Sequence, residues 1–157
     1  NNDNDEFFKK YRTYLESETT KTYINDKLEL FQEIKGLTET TILYKNEISK
    51  VVIEYSDNSR INSVVKSYRN DRLLKETFFK NKNIVLEKEY YASGKLAREI
   101  PQKDGLINGE VKDYYENGKI RSTATFVNGH IDGVVKEYNQ AGKVIKETLY
   151  KNGKKVK

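Results

Sequence analysis

A lysine stands two residues before a tyrosine four times between residues 66 and 138 of this 157-residue sequence. Side chains two apart on a strand share one face, so each pair places an ammonium group beside an aromatic ring. Such a row could bind an acidic protein surface, an anionic glycan or the phosphate head of a lipid. The structural alternative carries more weight, because cross-strand aromatic neighbours stabilise a sheet by ~0.2–1 kcal/mol each and lysine stems cover ring faces. The pairs are Lys66/Tyr68, Lys88/Tyr90, Lys112/Tyr114 and Lys136/Tyr138.

No other residues form a catalytic or metal-binding pattern. The sequence has no cysteine, which excludes thiol chemistry, disulfides and cysteine metal sites. The single histidine, His130, has only Asp132 close by in sequence and is predicted to be a turn residue. Aspartates and glutamates are scattered without a distinguished acid/base pair, and no helix follows the turn glycines, as a phosphate-binding loop would require. The sequence therefore predicts a non-enzymatic protein without a cofactor or metal.

The elements that position the lysine–tyrosine pairs are repeats of about 24 residues. The best-defined repeat, residues 110–133, contains Asn117-Gly118 and Asn128-Gly129 among strand-forming residues. Asn-Gly favours two-residue type I′ hairpin turns, because both turn positions need positive φ. Similar repeats cover residues 19–39, 40–63, 64–85, 86–109 and 134–157, and the first three lack the Asn-Gly pair. One tyrosine recurs in register in all six repeats, at Tyr23, Tyr44, Tyr68, Tyr90, Tyr114 and Tyr138.

Turn length decides which side chains share a face of the predicted sheet. With a two-residue turn at Asn117-Gly118, Tyr114 would lie opposite Arg121, and Tyr115 opposite Ile120. The tyrosine column and the aliphatic column would then occupy opposite faces of a thin, single-layer sheet. Pro101 is predicted at a strand end or in a loop, since proline cannot donate to a strand ladder.

The motif Tyr-Tyr-x-Asn-Gly-Lys-Ile, followed by Phe-x-Asn-Gly-x-Ile-Asp-Gly, resembles the bacterial variant of the MORN repeat. The resemblance covers the last three repeats well and the first three loosely. It implies an all-β fold, an elongated antiparallel meander of six stacked β-hairpins, that acts as a non-catalytic module in protein contacts. Some bacterial relatives carry an antitoxin label. The eukaryotic MORN pattern has more glycines, so lipid-binding ideas attached to it transfer poorly.

Residues 1–18 differ from the repeats in charge and in pattern. They carry three basic and five acidic residues, whereas residues 19–157 carry 26 basic and 19 acidic residues. Phe7, Tyr11, Tyr14 and Leu15 form one stripe of a short amphipathic helix. We expect this helix to cap the first hairpin, because an open sheet edge invites aggregation. A partner-binding or membrane-binding helix is the alternative. The predicted organisation is a capping segment, 1–18, and a six-hairpin domain, 19–157.

Composition limits the function classes. With 36% hydrophobic and 34% charged residues, the chain is too polar for a thick core and too patterned for disorder. The net charge of +5 favours anionic partners without indicating nucleic acid. No apolar run approaches the ~18 residues of a membrane span. The sequence also lacks methionine, from which we expect a removed leader and an extracellular or envelope location.

The sequence thus predicts an exported bacterial scaffold for protein–protein or surface interaction. An intracellular antitoxin that masks a toxin protein is the competing hypothesis. A third is a targeting module of a larger protein, binding an anionic lipid or glycan. A protein partner is expected first.

Overall fold

The computed structural model of the chain describes residues 17–157, and they form one open antiparallel sheet. The helix predicted over Phe7–Leu15 lies outside the described residues. The strands follow one another in sequence order, which confirms the predicted meander. The predicted boundary after residue 18 falls inside the first strand. The strands are β1 (Ser17–Ile24), β2 (Lys27–Lys35), β3 (Thr38–Tyr44), β4 (Ile48–Tyr55), β5 (Ser63–Arg69), β6 (Arg72–Lys80), β7 (Asn83–Tyr90), β8 (Leu96–Lys103), β9 (Leu106–Ile107), β10 (Gly109–Tyr114), β11 (Ile120–Val127), β12 (His130–Ile131), β13 (Gly133–Tyr138), β14 (Val144–Lys151) and β15 (Lys154–Lys155).

Two-residue turns with positive φ at both positions connect most of the repeats. Asn128 and Gly129 have φ of 48° and 84°, as predicted for a type I′ turn. The N-terminal repeats use the same geometry without glycine, at Asn25-Asp26, Asn70-Asp71 and Asn81-Lys82. Asparagine and aspartate tolerate the left-handed conformation, so the missing Asn-Gly pair does not change the turn type there.

The turn at Asn117-Gly118 is longer than predicted. Tyr115 N donates to Lys119 O at 2.8 Å, and Gly118 N donates to Tyr115 O at 2.9 Å. Gly118 has φ of 84°, whereas Asn117 is not left-handed. This is a three-residue loop that ends in a glycine bulge, and Gly94 and Gly142 repeat it.

This longer turn changes which side chains share a face of the sheet. Tyr114 pairs with Ile120, after a register shift that leaves Arg121 as the extra residue of β11. The predicted partners of Tyr114 and Tyr115 are therefore wrong, and the tyrosine and aliphatic columns lie on the same face. The equivalent pairs in the other repeats are Tyr68–Leu73, Tyr90–Leu96 and Tyr138–Val144.

Pro101 lies inside β8, so its predicted place at a strand end is wrong. Its carbonyl accepts a hydrogen bond from Asn108 N at 3.0 Å, where the neighbouring strand is interrupted between β9 and β10. The amide nitrogen and carbonyl of one strand residue point to the same side. The missing N–H of proline therefore faces an interruption, where the ladder does not need it. Thr125 and Asp132 repeat this arrangement between β11 and β12/β13.

The sheet has no hydrophobic core. Within residues 18–157 no hydrophobic side chain is buried, and Thr123 is the one buried residue. This confirms the prediction of a thin, single-layer sheet. The last three repeats are linked by a side-chain hydrogen bond that we call the tyrosine clasp. Tyr91 donates its hydroxyl to Tyr114 O, and Tyr115 donates to Tyr138 O at 2.6 Å.

Candidate binding face

All eight residues of the predicted lysine–tyrosine pairs lie on one face of the sheet, which we call the lysine–tyrosine face. Cross-strand pairing in β5 to β14 places the four lysines in a single row across the strands. The tyrosines form a second row beside it, each opposite an aliphatic residue. The structure therefore brings together the residues singled out in the sequence.

The lysine row is not uniformly basic. Glutamates from β6, β8 and β14 stand in the same row as the lysines. Lys66 contacts Glu54 at 2.8 Å, and Lys88 contacts Glu99 at 3.6 Å. Lys88 also lies over the Phe78 ring, at 5.4 Å from its centre. The full row reads Lys66, Glu76, Lys88, Glu99, Lys112, Thr123, Lys136, Glu147.

The glutamates also accept hydrogen bonds from the tyrosine row. Tyr114 donates its hydroxyl to Glu99 Oε2 at 2.6 Å, and Tyr90 donates to Glu76. Burial and then this hydrogen bond raise the pKa of Tyr114 to about 12, and the same causes raise the pKa of Tyr90. Glu99 thus contacts both Lys88 and Tyr114, and Glu76 accepts from Tyr90. These carboxylates offset part of the positive charge of the row.

Strand β11 breaks this pattern, because Thr123 occupies the position of a glutamate. Thr123 pairs with Lys112 on one side and with Lys136 on the other. The side chains of Lys112 and Lys136 are 37% and 43% exposed, against 25% and 28% for Lys66 and Lys88. Two of the four predicted lysines therefore differ from the others in partner and in exposure.

The opposite face has a matching row of charges that is fully compensated near β11. Asp113 accepts from Arg98 Nε at 2.5 Å and from Ser122 Oγ at 3.0 Å, and Arg121 lies 3.9 Å away. Glu137 is 3.2 Å from Lys146. The aspartate at the centre of this row is well supplied with donors, so we place no ligand there.

A groove with a cavity volume of about 490 Å³ lies beside residues 56–62, the loop between β4 and β5. Tyr55, Phe79 and Val85 contribute to its apolar lining. In the loop, hydrogen bonds from the Ser59 hydroxyl and amide lower the pKa of Asp57. The periodicity of the sequence did not indicate this groove.

The glutamate row had a signal in the sequence. The second strands of three repeats carry a basic residue followed by glutamate: Lys75-Glu76, Arg98-Glu99 and Lys146-Glu147. Ser122-Thr123 replaces this dipeptide in β11. The pattern becomes meaningful only with the register that the bulges set.

Over the described range, 17–157, no group of three or more histidine, cysteine or acidic residues is placed to hold a metal ion. Among those residues, no helix is long and apolar enough to cross a bilayer. The lysine–tyrosine face offers ammonium groups, hydroxyls, rings and carboxylates, which suit non-covalent binding.

An open sheet of repeated hairpins without a buried core defines a β-hairpin repeat protein. Residues 85–104, 107–128 and 131–152 match the MORN repeat variant, so the last three repeats of the chain are MORN-variant repeats. The match confirms the resemblance noted in the sequence. A comparison with curated proteins finds no match. MORN-variant repeats suggest a module for binding.

Proposed function

We propose that this repeat module is a non-catalytic scaffold that binds a protein partner through the lysine–tyrosine face. The observation that carries the proposal is a strip of exposed aliphatic side chains on that face, within the MORN-variant repeats. Leu106, Val127, Val134 and Leu149 form this aliphatic strip, each between 40% and 49% exposed. Cross-strand pairing places them on the lysine–tyrosine face, with Val134 directly opposite Leu149.

An aliphatic strip beside a row of alternating charges fits a protein surface better than a membrane or a polyanion. Protein interfaces combine an apolar centre with a polar rim of paired charges. A polyanion or an anionic bilayer is favoured by a uniformly basic patch, which the glutamates prevent here. The lysine–tyrosine face therefore supports a protein partner over the anionic lipid or glycan alternative.

A capture experiment with matched variants tests the proposal. The intact chain, immobilised, is compared with a Val134→Ser/Leu149→Ser variant and with a Val51→Ser control. Val51 is exposed on the opposite face, outside the matched repeats. We expect one partner to be retained by the intact chain and by the control, and lost by the strip variant. Equal retention by all three variants would contradict binding through the aliphatic strip.

Export and the antitoxin role stay predictions from the sequence. Cell fractionation, followed by identification of the captured partner, separates them. A partner at the envelope or outside the cell agrees with the exported scaffold. An intracellular partner whose toxicity the chain relieves agrees with the antitoxin hypothesis.

A further inference from the structure

The replacement of a glutamate by Thr123 creates an unusual set of donors on the lysine–tyrosine face. In neighbouring repeats Glu76 and Glu99 stand between a lysine on each side. Thr123 stands between Lys112 and Lys136 in the same way, but threonine cannot neutralise them. Adjacent strands lie ~4.8 Å apart, so both lysine side chains can reach over the threonine.

A tyrosine completes this set. Tyr114 lies two residues after Lys112 and donates its hydroxyl to Glu99. Tyr138 likewise lies two residues after Lys136. Lys136 pairs with Thr123, at the position where Lys112 pairs with Glu99. The Tyr138 hydroxyl therefore has no carboxylate at the position where Glu99 accepts from Tyr114. The register therefore places Lys112 and Lys136 on either side of Thr123, with Tyr138 two residues after Lys136, where the other repeats have a glutamate.

We propose that Lys112, Lys136 and Tyr138 bind a phosphate or sulfate group above the buried Thr123. Several oxygens on one anion can accept from all three side chains at once, and charge-assisted hydrogen bonds of this kind are the strong ones. In the other repeats, the glutamate carboxylate occupies the place that the ligand takes here. The site goes beyond the proposed function and does not depend on it, since it needs no protein partner.

The surrounding charges do not fill this site. Glu110 is 3.6 Å from Lys112, and Glu147 is 3.6 Å from Lys136. Glu147 pairs with Lys136 on the side away from Thr123, Glu110 lies on the same strand as Lys112, and both are about half exposed. Glu99, the neighbour of Lys112 on the side away from Thr123, accepts from the Tyr114 hydroxyl. Exposed ion pairs contribute only ~0–1 kcal/mol, so an anion with three donors can compete with them.

The test is a titration of the full chain with sodium phosphate, followed by amide NMR, against sodium chloride at equal ionic strength. We expect phosphate to shift the amides of β10, β11 and β13. Lys112→Gln and Lys136→Gln should each weaken binding about fivefold, the factor that corresponds to ~1 kcal/mol. The matched control is Lys66→Gln, whose lysine already has a close carboxylate partner; its affinity should equal that of the unmodified chain.

A second variant restores the glutamate. Thr123→Glu should abolish phosphate binding without lowering the melting temperature, because it rebuilds the arrangement around Glu99. The exposed lysine variants keep the test decisive if Thr123→Glu does not fold. Equal losses in Lys66→Gln and Lys112→Gln, or no phosphate-specific shift, would overturn the site.

Vesicles distinguish the source of the anion. Vesicles of phosphatidylcholine with phosphatidic acid are compared with phosphatidylcholine alone, using the same variants. Phosphate binding together with vesicle binding that is lost in Lys112→Gln supports the site and indicates a lipid head. Phosphate binding without vesicle binding supports the site and indicates a soluble phosphate group. The absence of both overturns it.

Discussion

Gly109 and Gly133 occupy the same position one repeat apart, and they allow one contact to be measured on its own. Both have left-handed φ, 114° and 124°, just after the strand interruptions at Asn108 and Asp132. A Cβ at Gly109 would lie 3.0 Å from Pro101 Cγ, whereas a Cβ at Gly133 would lie 3.7 Å from Thr125 Cβ. The proline ring is fixed to its own backbone and cannot rotate away.

Alanine at either glycine adopts a backbone conformation that costs ~1–3 kcal/mol. At Gly109 the contact with Pro101 adds an overpacking cost of ~1–3 kcal/mol. We therefore expect Gly109→Ala to lower the free energy of unfolding by at least about 1 kcal/mol more than Gly133→Ala. Urea unfolding measures the two free energies, and hydrogen exchange of β8 and β10 shows whether the loss is local.

Pro101→Thr supplies the control, because it converts the crowded site into the one around Gly133. In that background Gly109→Ala should cost as much as Gly133→Ala does in the unmodified chain. The difference is the interaction energy of a double-mutant cycle. Equal costs of the two alanine substitutions in the unmodified chain would refute the role assigned to Pro101.

Three further perturbations test other parts of the sheet. Gly118→Val places a β-branched residue at φ of 84° and should lower the free energy of unfolding by a few kcal/mol, whereas Ser59→Val in an exposed loop should lower it far less. Hydrogen exchange measures where protection is lost. Equal loss in all six repeats would contradict coupling between nearest neighbours only. Tyr114 has its pKa raised to about 12, so its stabilisation is complete below the unfolded pKa of ~10 and is lost as pH rises from there to about 12. Tyr114→Phe should remove that part of the loss of stability at alkaline pH. The ultraviolet pH titration of the unmodified chain minus that of Tyr114→Phe reports Tyr114 alone, and a midpoint of ~10 would show the assignment to be wrong. Asp113→Asn should destabilise the sheet by ~1–3 kcal/mol, because Arg98 and Ser122 lose their charged acceptor. Glu110→Gln, the control, should change stability by less than ~0.5 kcal/mol. Similar urea midpoints for the two variants would argue against this role of Asp113.

The sequence predicted the parts of the fold that depend on local chemistry and on period. The tyrosine period set the number and order of the hairpins, and Asn128-Gly129 correctly indicated a type I′ turn. At Asn117-Gly118 the same dipeptide predicted the wrong turn type. There the Asn117 side chain accepts a hydrogen bond from Lys119 N at 3.0 Å, which favours a longer loop. The identical residue pair is compatible with both turns, so the sequence could not distinguish them.

The candidate site could be predicted only in part, for a related reason. The common face of Lys112 and Tyr114 follows from their spacing within one strand. Their neighbours on other strands depend on register, and one extra residue at Arg121 changes the partner of Tyr114. The alternation of lysine with glutamate, and its interruption at Thr123, therefore became visible only when the bulges were placed.

The tyrosine clasps make the two ends of the sheet unequal, because each clasp runs from one repeat to the next repeat along the chain. Tyr91 and Tyr115 each hold the repeat that follows, and Asn139, at the next equivalent position, is too short to do so. Deleting the hairpin of β13 and β14 would leave the Tyr115 hydroxyl without its acceptor, whereas deleting the hairpin of β1 and β2 would leave both clasps intact. The two ends of the molecule should therefore respond differently to truncation. Unfolding measured after shortening from each side would reveal this asymmetry, with the greater loss per hairpin at the C-terminal side.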